Sequence, residues 1–441
     1  MTCLSYTRQA DCGVYYGVDT MTHNTDKPMS LRKNVLWNTF GSVFYQGCIW
    51  LMTVLVVRLS SDYQNSGMLA FAMSVGNIYT AIGTYTMRTY QVSDVTGRYN
   101  ASNYVALRIV TVLGGLVACG IYSLAISPSS NTMLVIGVFL LFKADEAFAN
   151  VLYGCDQVAM RLDYVGISQV SRGVICVSFF ALGLVATNNL VVALLSVFLG
   201  CILVTAFYDI PRTRALVDSL HPSISKRQCL DLLKECFPTV AGNVLGGLVV
   251  STARQYFGIA YGEAALGIYA SVATPCVIIQ VLAQNLYTPM LGPIAESYRH
   301  GNLRSARVAT FKLLALVVGV ALGVSALLSF SAEPLLSLIY GSTIIPYVNV
   351  LPPALLVMTG VAASSVICDL LIVFGHLKTT LMVNGIAFGL SLLLVGPCTA
   401  AWYMNGLNVA LIAAYAAAIA FGVVQVVWRG SQPWVEGQRT Q

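Results

Sequence analysis

The residues best suited to ligand chemistry lie in LLFKADEAFANVLYGCDQVAMRLDYVGISQVSR, residues 140–172. This stretch opens inside an apolar run and carries Lys143, Asp145 and Glu146 almost side by side. At 100° per residue, Lys143, Glu146, Asn150, Gly154, Gln157 and Arg161 share one stripe of a helix, while Asp145 and Asp156 point to the opposite side. An ionisable side chain at membrane depth costs about 3 kcal/mol or more, so it faces a bundle interior or a wet cavity. Two arrangements fit the stripe. It lines a solvated transport cavity, or Lys143 and Glu146, spaced i,i+3, neutralise each other as a packing pair.

The elements that must position these residues follow from composition. The chain has 441 residues, of which 57% are hydrophobic and 10% charged, with a mean hydropathy of +0.75. That combination describes an all-α polytopic membrane protein and excludes a soluble multidomain enzyme. The formal net charge of +6 does not imply a nucleic-acid partner, because the basic residues lie in short loops beside apolar spans. Cys48, Cys119, Cys176, Cys201, Cys276, Cys368 and Cys398 fall inside apolar runs, and the 12 cysteines form no CxxC or Cys/His cluster. They read as small hydrophobes, and the four histidines are isolated, so neither a metal site nor a cofactor is expected.

Hydropathy predicts about twelve transmembrane helices. A tail over 1–33 is disordered or precedes a later start at Met21 or Met29. A six-helix bundle covers 34–208, a basic linker 209–238, a second six-helix bundle 239–428 and a polar tail 429–441. Within the linker, ISKRQCLDLLKECF suggests a short interfacial helix. A kink is expected at Pro275. The stretches 88–108 and 161–172 read as polar connections. With both termini cytoplasmic, every lysine and arginine falls on the cytoplasmic side except Arg58, Lys143 and Arg254.

Those exceptions, with Arg88 at the end of the second span, are the candidate substrate-binding cations. Arginine can fork onto phosphate oxygens, and a cavity lined by unpaired cations favours an anionic ligand. At helix ends, Arg58 and Arg88 could equally snorkel to headgroups. Asn150 on the opening stripe and Asn243, which shares a stripe with Gly247, Arg254 and Tyr261, are the polar candidates beside them. Asp145, Glu146 and Asp369 are the acidic residues inside the predicted spans, and hence the candidates for ion coupling. No GxxxxGK[ST] signature is present, so transport would draw on an ion gradient, the membrane potential or a downstream sink.

Three passages carry a family likeness: NVLWNTFGSVF followed by VVRL, MRTYQVSDVTGRYNASNYVALR, and KADEAFANVLYGCDQVAMRLDYVGISQVSRG. A weaker one is GIYASVATPCVIIQVLAQNLYTPMLGPIAESYRHG. From about residue 34 to 428 the chain resembles the polysaccharide flippases, the O-antigen and capsule repeat-unit translocases of the MATE-like (MOP) superfamily. The resemblance implies two six-helix bundles in a V that alternate between inward- and outward-open states in the plasma membrane. It implies as cargo a polyprenyl-pyrophosphate-linked glycan, moved from the cytoplasmic to the outer leaflet, with other polysaccharide-assembly proteins as partners. It also implies cationic cavity residues for the pyrophosphate, a role open by position to Arg58, Arg88, Lys143 and Arg254. Drug-exporting cousins use acidic residues in the first or seventh helix, and neither helix has one here. An ion-coupled exporter of small molecules is the alternative. A membrane polysaccharide polymerase or glycosyltransferase is more remote, since the exterior loops are short and hold only Asp62, Glu263 and Glu333.

Overall fold

The computed structural model describes residues 30–94, 97–126 and 128–429. The expectations for the tails before residue 30 and from residue 430 lie outside the described residues. In chain order the helices are α1 (Leu31–Leu59), α2 (Gln64–Thr84), α3 (Met87–Ser93), α4 (Ala101–Ile126), α5 (Ser130–Val158), α6 (Leu162–Thr187) and α7 (Leu190–Val204). They continue with α8 (Lys226–Tyr261), α9 (Glu263–Ala273), α10 (Val277–Arg299), α11 (Leu303–Phe330), α12 (Ala332–Tyr340), α13 (Leu351–Val373) and α14 (Leu377–Arg429). Among the described residues nine segments are long and apolar enough to cross a membrane. Adding α2 and the charged α5, and dividing α14 where Tyr403 leaves helical geometry (φ 50°, ψ −124°), gives twelve crossing helices.

Local chemistry sets the helix ends. Ser129 accepts a hydrogen bond from the Thr132 amide at 3.2 Å, and Asn302 does the same for Ser305 at 3.2 Å. Ser225 and Gln228 form a reciprocal capping box at the start of α8. Gly262, at φ +93°, makes the turn between α8 and α9. The expected kink at Pro275 is present as one 3₁₀ turn, Thr274–Cys276, between α9 and α10.

Two expected connections are largely helical instead. Residues 161–172 are largely the first turns of α6, and 101–108 open α4, so Arg172 and Arg108 are fully buried side chains inside helices. Asp156, Asp163 and Asp209 join the acidic residues buried within helices. The interfacial helix expected before Pro238 is the first part of α8, which runs unbroken through that proline, while α7 continues through a π turn at Thr205–Asp209 to Arg214. A hydropathy window stops at the first charge. A helix does not, provided the charge finds a partner.

Helix packing defines two lobes: α1 on α6, α6 on α7, and α5 on α2, α4 and α7 in the first; α8 on α14, α13 on α14, α11 and α10 in the second. They meet where α2 lies against α8 and α9. The start of α8 is also docked on the first lobe. Leu232 is buried with Met87, Tyr99 and Tyr104, and the Tyr85 hydroxyl donates to the Leu233 carbonyl at 3.1 Å.

The α2–α9 seam depends on missing side chains. A Cβ on Gly67 would lie 1.7 Å from the Glu263 carbonyl oxygen, and one on Gly267 2.2 Å from the Tyr63 carbonyl oxygen. Such close backbone approach between small residues is how helices associate in lipid, where no hydrophobic drive is available. Polar groups flank the seam. Ser129 and Thr132 donate to the Glu263 carboxylate, Ser66 and Ser271 hydroxyls are 3.3 Å apart, and Gln255 donates to Ser74 at 3.0 Å. Gly67→Ala is therefore expected to overpack the seam at a cost of about 1–3 kcal/mol, seen as a lower melting temperature of the purified protein. Gly114→Ala, which meets nothing within 4 Å, should leave it unchanged or slightly raised. Equal melting of the two variants would contradict the seam.

Candidate functional site

The two faces of α5 do different things. On the inner face Asp145 is locked into the first lobe. Arg172 Nη1 of α6 donates to Asp145 Oδ2 at 2.6 Å, and Nη2 donates to Thr205 Oγ1 and, at 3.1 Å, to Asp209 Oδ2. Thr205 in turn donates to Asp145 Oδ1 at 2.5 Å. The Arg172 and Asp145 side chains are 1% and 4% exposed, so this is a dry ion cluster joining α5, α6 and the π turn after α7. The π turn places Thr205 and Asp209 on the same guanidinium. Sequence reasoning missed Arg172, Thr205 and Asp209. The available signal was Asp145 itself, a carboxylate facing away from the stripe and in need of a cation.

The other face is polar along its length, and each member meets a neighbour. Lys143 Nζ donates to Glu146 Oε2 at 2.6 Å, so the packing pair exists. One turn on, Asn150 Oδ1 accepts from Arg108 Nη2 of α4 at 3.2 Å, while Arg108 Nη1 caps the end of α2 by donating to the Gly83 carbonyl at 2.6 Å. A Cβ on Gly154 would lie 2.1 Å from Gln91 Oε1, so this glycine lets α3 approach. Gln157 Oε1 accepts from Arg88 Nε at 3.0 Å, and the Arg88 guanidinium stands 5.8 Å from the Tyr153 ring centroid. Arg161 turns aside into a two-pronged pair with Asp163, both contacts at 2.9 Å. Lys143, Glu146, Asn150 and Arg88 are thus brought onto one wall, with Arg108 behind Asn150.

The second lobe contributes Arg254 from α8. It is half-buried, with its guanidinium 6.0 Å from the Tyr269 ring centroid and its Nε buried without a hydrogen bond among the described residues. Its neighbour Gln255 reaches Ser74, and two residues on, Gly76 of α2 abuts the Lys143 stem. Arg88 and Arg254 make no ion pair among the described residues. Asn243 is exposed on α8. Two candidates lie elsewhere. Arg58 donates to the backbone carbonyls of Leu338 and, at 2.7 Å, Ile339, tying the end of α1 to α12 beside the glycine seam. Asp369 accepts from the Tyr287 hydroxyl at 2.8 Å within the second lobe.

This all-helical pair of lobes has the fold of the MATE-type transporters of the MOP superfamily. The chain is similar to an inward-facing multidrug-resistance MATE transporter, with a TM-score of 0.69 at 12% identity over 86% of this chain and 94% of that one. It is equally similar to the lipid II flippase MurJ in an inward-closed conformation, with a TM-score of 0.70 at 12% identity over 89% and 87% of the two chains. In sequence it is similar to the capsular polysaccharide biosynthesis protein CapF of Staphylococcus aureus, 24% identical over 317 residues that cover 70% of this chain and 77% of that one. No protein-family model matches.

The dry cluster and the polar wall should respond differently to mutation. Arg172→Ala leaves Asp145 and Asp209 buried without a cation and is expected to cost about 3–5 kcal/mol, read as a collapse of the melting transition or of the folded yield. Arg88→Ala should melt within a few degrees of the parent. Equal loss in both variants would contradict the assignment of the two faces.

Proposed function

We propose that the protein is a flippase that carries a polyprenyl-pyrophosphate-linked oligosaccharide repeat unit from the cytoplasmic to the outer leaflet of the plasma membrane. The observation that carries this reading is the pair Arg88 and Arg254, one from each lobe, neither engaged by a carboxylate. A guanidinium with no carboxylate partner in a membrane protein calls for water, polar neighbours or an anion to answer it. A pyrophosphate offers oxygens to which arginine can fork, and divided between two lobes the cations can hold the headgroup while the lobes rock about it. Similarity to a capsule biosynthesis protein and the fold shared with a lipid II flippase support a lipid-linked glycan as cargo.

In this reading both termini are cytoplasmic, residues 34–208 and 239–428 form the moving bundles, and residues 209–238 connect them. The glycine seam and the Arg58 contacts then close the outer side, so the polar wall opens toward the cytoplasm. Lys143, Asn150 and Asn243 add polar contacts for headgroup or sugars. The sugars cross in the wet space between lobes, and the lipid tail stays in the bilayer, so no charge enters hydrocarbon. Asp145, Glu146 and Asp369 remain the candidates for ion coupling. Asp145 and Asp369 already hold partners within their lobes, which leaves Glu146 as the carboxylate on the wall itself.

In cells depleted of the protein, polyprenyl-pyrophosphate-linked oligosaccharide is expected to accumulate on the cytoplasmic leaflet. The parent gene should reverse this, and an Arg88→Ala plus Arg254→Ala copy, present at parental levels, should not. Unchanged lipid-linked sugar together with a changed drug-resistance profile would sink the flippase reading in favour of a small-molecule exporter.

A further inference from the structure

Three of the ion pairs inside the first lobe differ in their exposure. Arg172 and Asp145 are 1% and 4% exposed, Arg161 and Asp163 are each 10% exposed, and Lys143 and Glu146 are 15% and 28% exposed. The last pair is also unequal in its support. The Lys143 ammonium stands 5.6 and 5.4 Å from the Phe139 and Phe142 ring centroids. Its stem rests on α2, where a Cβ on Gly76 would lie 3.5 Å from Lys143 Cγ and 2.5 Å from Phe139 Cε1. The rings attract the cation but do not replace oxygen acceptors, so an ammonium with three donors has one of them answered by Glu146. Glu146 is the more exposed partner, and among the described residues it is held on this wall through the one oxygen that meets Lys143. A glutamate side chain can swing away by rotation about its own bonds, with no movement of the helix.

We propose that Glu146 is a resident anion, occupying the Lys143 ammonium until a phosphate-bearing headgroup displaces it, and so limits how tightly the cavity holds its ligand. The inference rests on the flippase reading above. In the closed pair Lys143 contributes no net charge to the wall. When a phosphate oxygen replaces the carboxylate, the ligand gains a cation, and the returning carboxylate competes it off again. A carrier needs both halves of that exchange, since a headgroup bound too tightly is not released. Glu146 is thus a positioning residue acting through Lys143, in contrast to Asp145 one residue earlier, whose contacts are dry and fixed.

The test is titration of the purified full-length chain with inorganic pyrophosphate, and separately with a short-chain prenyl pyrophosphate, at fixed ionic strength. Glu146→Gln removes the competing charge and should tighten binding of both probes by about tenfold, the change expected from releasing one partly solvated opposite charge. Lys143→Gln should weaken binding, and adding Glu146→Gln to it should then bring no gain. In a reconstituted transport assay Glu146→Gln should lower the substrate concentration at half-maximal rate and also lower the maximal rate. A wild-type measurement guards against misfolded variants: pyrophosphate should raise labelling of Glu146 by a water-soluble carbodiimide, mapped by mass spectrometry. Pyrophosphate binding that Arg254→Gln weakens but Glu146→Gln leaves unchanged or weaker would overturn this proposal and spare the flippase reading. No binding of either probe by any form would overturn both.

Discussion

A charge inside a membrane must be answered, and the first lobe is organised by how each of its charges is answered. Arg172 is the clearest case. One fully buried guanidinium holds Asp145 of α5 and both Thr205 and Asp209 beyond α7, so three helices share a single dry cluster. Replacing such a cluster with apolar residues is often neutral, whereas removing one member is not. Its value here is positional. With Asp145 pinned inward, the geometry of a helix forces Lys143, Glu146, Asn150 and Gln157 to the other side, where they form a continuous polar wall.

The two lobes are joined by a different kind of contact. Along the α2–α9 seam the backbones touch because Gly67 and Gly267 carry no side chain, and the flanking bonds are from hydroxyls, amides and one carboxylate. These are contacts between backbones and small polar side chains, unlike the buried ion cluster within a lobe. The beginning of α8, docked through Leu232 and Leu233 on the first lobe, provides a second bridge between the lobes at the opposite end of the bundle.

Much of this was legible in the sequence, for reasons that can be traced. The stripe on α5 followed from helical periodicity, and the structure keeps its members on one wall apart from Arg161. The kink at Pro275 followed from the missing amide. Arg108 and Arg172 were not legible as buried groups, because a window of hydropathy treats an arginine as an exit from the membrane. Only the partner settles the matter, and the partners, Asn150 and Gly83 in one case and Asp145 and Asp209 in the other, come from distant positions in the chain. The same blindness made residues before Pro238 read as a separate interfacial helix, when the capping box at Ser225 starts one continuous helix there. Arg58 was grouped with the cavity cations by its position at a span end, and in the structure it donates to the Leu338 and Ile339 carbonyls.

The account stands on α5 having one wet face and one dry face within the membrane. Single cysteines introduced along 143–157, probed with a membrane-impermeant thiol reagent in sealed vesicles, test this directly. Positions 143, 146, 150 and 157 should label from one side of the membrane, and 145, 149 and 152 should not. Labelling that ignores helical period, or that leaves position 143 as protected as 145, would contradict it.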